Sequence, residues 1–321
     1  MSTFWKFDNP PGKVTEESGY METFKEANVP EVKAICTGDA NRDTLVFLHG
    51  FPDDHAMWSE QVKHFESTHR VVCLVWPQSA KERKGTAGFD FPELVEGVRR
   101  AIEKNKGKKK VILVGHDWGA LLSSLVARCH SSLIDKLALA DVAPARAEPD
   151  EVPGGWKGRL LLAVYPLVFA CAWLCCQIPV IGILLGKILT TLNFLLFGYL
   201  VDMGKGGYSS GAREGGTSNP FSPLQCYPYF FITRRILMRR QVPGGGASAV
   251  KGLMLTPKQP TWFSYGTKGL KEGVMFHSGK WVEYLKGRPE CKVSVYDKSS
   301  HWVMLDEPEK FNRELAEFVA N

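Results

Sequence analysis

Six short apolar runs constrain this chain more than any other feature: TLVFLHG (44–50), VVCLVW (71–76), VILVGH (111–116), KLALAD (136–141), TWFSYG (261–266) and KVSVYD (292–297). The first five do not alternate apolar with polar residues, so strands made from them must be covered on both faces, as in a parallel sheet whose crossovers are helices. Apolar residues recur at helical spacing between the runs, at 56–67, 91–105, 118–130, 276–286 and 308–320. This alternation predicts an α/β fold with a doubly wound, mostly parallel sheet flanked by helices. Residues 19–37 are expected to add an antiparallel hairpin at one edge.

The alternation stops between 144 and 258, where no strand signal occurs. The span holds a long apolar stretch, a glycine-rich loop (204–216) and a basic helical pattern near FITRRILMRR (231–240). It reads as a helical cap inserted between two sheet strands, which divides the chain into core (1–143), cap (144–258) and core (259–321). Residues 160–201 carry Lys187 as their only charge, and 160–176 is an unbroken apolar run near the lower limit for spanning a bilayer. Two readings fit that stretch: helices burying an apolar pocket against the core, or a surface resting in or on a membrane.

With 321 residues, 44% of them hydrophobic, the chain can bury a sizeable core. The net charge of +6 is scattered, and its densest run, KNKGKKK (104–110), falls between a helical pattern and a strand. A solvated loop explains it, so nucleic acid is not an expected partner. The eight cysteines show no C-x-x-C pair and no metal-ligand spacing, which suits buried free thiols in a reducing compartment. No apolar leader opens the sequence. A cytoplasmic protein is expected, with the cap as a candidate membrane contact.

In an open parallel sheet, ligands sit beyond the carboxyl ends of the strands. The polar residues there are His49, Asp117, Asp141 and His301. GHDWG (115–119) has the form Gly-x-nucleophile-x-Gly, in which small flanking residues permit a sharp strand-to-helix turn. An aspartate that caps the following helix fits the same pentapeptide. As a nucleophile, the Asp117 carboxylate would attack saturated electrophilic carbon and form an alkyl ester. The amides of Trp118 and of Phe51, in HGFPDD (49–54), are candidate oxyanion donors. His301, in SSHWVMLDEP (299–308), is a candidate base for activating the water that cleaves the ester.

HGFPDD, VGHDWGA and SSHWVMLDEP, in this order and with an insertion between the second and third, resemble the epoxide hydrolases of the α/β-hydrolase fold over residues 40–320. The resemblance implies that Asp117 opens an epoxide, that His301-activated water hydrolyses the ester to a vicinal diol, and that two cap tyrosines polarise the epoxide oxygen. PLQCY (223–227) resembles the family's cap motif and selects Tyr227; Tyr165, 48 positions after Asp117 and 62 before Tyr227, has the spacing of the other. Tyr199 and Tyr229 are the substitutes. His49, Pro52 and Trp302 are the expected substrate contacts. The apolar cap suggests a hydrophobic substrate, a lipid or aromatic epoxide, with detoxification as a role. Neither a metal nor an organic cofactor is expected.

Two positions depart from the family pattern. Gly269 in YGTKG (265–269) stands where these enzymes carry the acid that orients the histidine, whereas LADVAP places Asp141 after the preceding strand, where asparagine is usual. Asp141 is therefore the expected partner of His301, with Glu272 as an alternative. WPQSAKERKG (76–85) replaces the family's usual loop at that place. The rival readings are a haloalkane dehalogenase, which would want asparagine where Phe51 stands, and a non-catalytic protein of this fold that binds membranes.

Overall fold

A computed structural model describes residues 29–77, 88–144, 150–201, 222–237, 257–268 and 276–321, with the backbone alone for 196–201. Seven strands form one sheet: β1 (Lys33–Thr37), β2 (Thr44–Leu48), β3 (Arg70–Val75), β4 (Val111–His116), β5 (Lys136–Ala140), β6 (Thr261–Gly266) and β7 (Lys292–Tyr296). Their order is β1-β3-β2-β4-β5-β6-β7, with β1 antiparallel to β3 and every other pairing parallel. This is the expected α/β fold with one antiparallel edge. Only the second strand of the expected hairpin is seen; residues 1–28 lie outside those described.

The central strands lack polar alternation because both faces of the sheet are buried there. Val46, Leu48, Leu113 and Leu139 face α2 (Phe91–Asn105) and α3 (Trp118–Cys129), whereas Leu45, Phe47, Ile112 and Val114 face α1 (Ser59–Phe65) and α9 (Pro308–Ala320). Each fully buried Leu or Phe side chain contributes about 1.5–3 kcal/mol. Asp90 and Glu93 form a capping box that starts α2. The first expected helix is split into a 3-10 turn (His55–Trp58) and α1, and the helix expected from 276 begins at Gly279 as α7 (Gly279–Lys286).

Between β5 and β6 the described residues form α4 (Gly155–Cys175), α5 (Gly182–Val201), a 3-10 turn (Pro223–Cys226) and α6 (Tyr227–Leu237). Phe169 of α4 and Tyr229 of α6 pack on Phe51, in the loop after β2, so these helices lie over the carboxyl ends of the strands. Arg235 of α6 grips Asp90 through two hydrogen bonds, Nε to Oδ1 at 2.9 Å and Nη2 to Oδ2 at 2.7 Å. Both side chains are largely buried, and removing one partner of such a pair costs about 3–5 kcal/mol. The glycine-rich loop at 204–216 lies outside the described residues. All eight cysteines are free thiols, but Cys171 is exposed rather than buried.

Candidate active site

β4 ends at His116 and the chain turns into α3 through Asp117, whose φ of 53° and ψ of −123° lie where an L-residue is strained. The turn works because glycines let backbones meet. A Cβ on Gly119 would fall 2.1 Å from the Leu48 carbonyl oxygen, and one on Gly50 would fall 2.3 Å from the Asp117 Cβ. The Asp117 side chain makes no capping bond to α3; its Oδ1 accepts the Phe51 N–H at 2.8 Å. Of the two readings open in the sequence, the helix cap is thereby excluded. The Trp118 amide begins α3, so its N–H has no partner within the helix.

His301 reaches the elbow from the loop between β7 and α8 (Val303–Asp306). Its Nε2 lies 3.6 Å from Asp117 Oδ2, and its Nδ1 donates to Asp141 Oδ2 at 2.6 Å. Asp141, just past β5, also has positive φ, 63°, and its Oδ1 accepts the Gly266 N–H at 3.0 Å. Position 269 and Glu272 lie outside the described residues. Burial alone would strip the His301 proton, but Asp117 and Asp141 outweigh it and hold the pKa up to about 10. Burial alone would raise the Asp117 pKa, yet His301 and the Phe51 amide keep it below the usual carboxylate range.

The cap tyrosines are placed differently from expectation. Tyr227, buried against Gly88 and Phe89, donates its hydroxyl to the Pro77 carbonyl at 3.0 Å. Tyr229 instead packs edge-on to Trp118 at 5.0 Å and to Tyr165 at 6.1 Å. Residues two apart on a helix point about 200° apart, so the two rings of this pair take different neighbours. Burial first, then the charge of Asp117, push the Tyr229 pKa well above its ordinary value, which keeps its hydroxyl a proton donor. Tyr165 stands next to Phe276, whose ring is 5.1 Å from that of His301. The side chain of Tyr199 lies outside the described residues.

Residues 43–163 match a family model described as the alpha/beta hydrolase fold. The chain has the α/β-hydrolase fold. The chain is 36% identical over 107 residues to epoxide hydrolase 2 of Caenorhabditis elegans, a match spanning 33% of the chain and only 30% of that relative. To human epoxide hydrolase 4 it is 28% identical over 302 residues, 89% of the chain and 74% of the relative. An epoxide hydrolase structure from Bacillus megaterium superposes with a TM-score of 0.64 over 92% of this chain and 98% of that one, at 18% identity.

The remaining motif residues brace the candidate site. His49 donates from Nδ1 to the Gly50 carbonyl at 2.8 Å and accepts the Trp76 N–H at 3.4 Å, so both ring nitrogens hold backbone rather than a ligand. Burial lowers its pKa to about 4. Trp302, expected at the substrate, is buried with its indole N–H on Asp53 Oδ2 at 2.7 Å. His49, Pro52, Trp118 and Tyr227 border a cavity of about 30 Å³ beside the elbow, room for roughly one water. Asp306 accepts from the Ser300 amide at 2.8 Å and hydroxyl at 2.6 Å, which explains the acid in SSHWVMLDEP as a clamp on the histidine loop.

Sequence reasoning missed His116. Buried beneath His301, with ring centroids 4.5 Å apart, it donates from Nε2 to the His301 carbonyl at 3.0 Å, and burial lowers its pKa to about 3. Its place beside Asp117 in the elbow was the available signal.

Proposed function

We propose that this hydrolase opens hydrophobic epoxides to vicinal diols through an ester on Asp117. The observation carrying the proposal is a carboxylate withheld from its own helix and facing the His301 Nε2 at 3.6 Å. Residues 144–258 act as the cap over the reacting groups. Asp117 Oδ2 attacks a ring carbon, the carbon–oxygen bond breaks, and the oxygen takes a proton from Tyr229 with Tyr165 alongside.

Esterification removes one of the two negative charges that hold His301 protonated. The imidazolium then returns the proton lost by the tyrosine and becomes a base, its tautomer fixed by Asp141. Neutral His301 takes a proton from water while the hydroxide attacks the ester carbonyl. The oxyanion rests on the Phe51 and Trp118 amides. Collapse releases the diol and restores the Asp117 carboxylate and the His301 imidazolium, so protons balance over the cycle.

The aromatic wall around Phe51, formed with Phe169, Phe194 and Tyr229, supports a hydrophobic substrate such as a lipid or aromatic epoxide. A phenyl ring at position 51 offers no amide to a halide, which favours epoxides over haloalkanes. Styrene oxide incubated with His301→Gln should leave a covalent adduct on the peptide containing Asp117, detected by mass spectrometry. Absence of the adduct, or faster turnover of 1-haloalkanes than of styrene oxide by the unaltered protein, would overturn the proposal.

A further inference from the structure

α4 and α5 each present two different faces. Inward, Phe169 and Trp173 of α4 are buried, and Asn193 of α5 donates to the Tyr165 carbonyl at 3.0 Å. Outward, Leu160, Val164 and Leu167 of α4 and Leu184, Ile188 and Leu192 of α5 follow helical spacing, each between 42 and 61% exposed. A helix facing water on one side normally carries polar residues there. The turn joining the two helices continues the apolar surface, since Val180 is 99% exposed and held at a φ of 68°, a strained setting for a β-branched residue. Apolar surface this continuous marks a docking face.

Charge indicates what covers it. From 155 to 201 the only charged residues are Lys157, Arg159 and Lys187, and no carboxylate occurs. The Lys157 ammonium sits 5.9 Å from the ring of Trp156, itself 64% exposed, a tryptophan and lysine together at the edge of an apolar stripe. A second copy of the chain docking through the same face would set these cations against their own kind. Anionic phospholipid matches both the apolar stripe and its cationic edge.

We infer that the outer face of the α4–α5 pair rests on the surface of an anionic phospholipid bilayer, with the Val180 turn and the leucine stripes at the headgroup–acyl boundary. The helices lie on the membrane rather than across it: α4 is long and apolar enough to span, but a third of its apolar window, 33%, is buried against the rest of the protein. The inference does not use the epoxide chemistry, and its test does not read turnover.

The full chain would be floated with phosphatidylcholine vesicles containing about one-third phosphatidylserine, beside pure phosphatidylcholine, with circular dichroism melts to show that each variant is folded. The unaltered protein should float with the anionic vesicles. Binding should fall about tenfold or more for the folded double variant Val180→Asp/Leu184→Glu, and again for Lys157→Glu/Lys187→Glu. Failure of the unaltered protein to float, or folded variants that float as it does, would overturn the inference. So would self-association in sedimentation that Val180→Asp/Leu184→Glu abolishes while vesicles bind neither protein.

Discussion

Asp141 and His301 are 160 positions apart in the chain, and their side chains meet at 2.6 Å. The contact forms because β5 and β6 are neighbours and the Gly266 amide holds the other oxygen of the same carboxylate at 3.0 Å. A carboxylate anchored to one strand end thus fixes a ring carried by the loop after another.

Asp141→Asn should keep the fold but leave His301 without its orienting acid. Diol formation from styrene oxide should fall by about three to four orders of magnitude. Ester formation on Asp117 should suffer less, so the adduct should accumulate in mass spectra of the variant. Near-normal turnover would show that another group orients the ring.

Tyr229→Phe should slow formation of the Asp117 ester by about a hundredfold or more, because the epoxide oxygen loses its proposed proton donor. Tyr227→Phe, which removes the bond to Pro77, should slow it far less. Single-turnover kinetics on both variants would check the assignment, and the opposite ranking would return the donor role to Tyr227.

Stability should depend on pH through His301. Its folded pKa is raised from 6.5 to about 10 by Asp117 and Asp141 against the opposing effect of burial. The resulting stabilisation is complete below pH 6.5 and disappears as pH rises through about 10. Melting temperatures between those limits should therefore fall more steeply for the unaltered protein than for His301→Gln. Asp117, with its pKa lowered, contributes in the opposite direction: its share is present above 3.8 and is lost as pH falls further.

Gly50→Ala should damage the site from the loop after β2. The new methyl would lie 2.3 Å from the Asp117 Cβ and 2.5 Å from its Oδ1, so the elbow must shift. A stability loss of about 1–3 kcal/mol is expected in denaturant unfolding. Formation of the Asp117 ester should drop with it.

Local pattern carried much of this molecule. Unalternating runs such as TLVFL and VILVGH read as strands buried on both faces, and six of the seven described strands coincide with the six apolar runs to within two residues. The glycines around Asp117 likewise announced a tight bend, because their absence of side chains is a local property. Which tyrosine faces the elbow was not local: Tyr227 and Tyr229 sit on opposite sides of one helix, and the rotation of α6 is set partly by the grip of Arg235 on Asp90, across the fold. The same holds for His116 and Trp302, whose partners are the His301 carbonyl and Asp53. Periodicity and glycine placement follow from neighbours along the chain, so the sequence determined the sheet and the elbow. Side-chain pairing depends on elements far apart in sequence, so only the tertiary structure decided what stands beside Asp117.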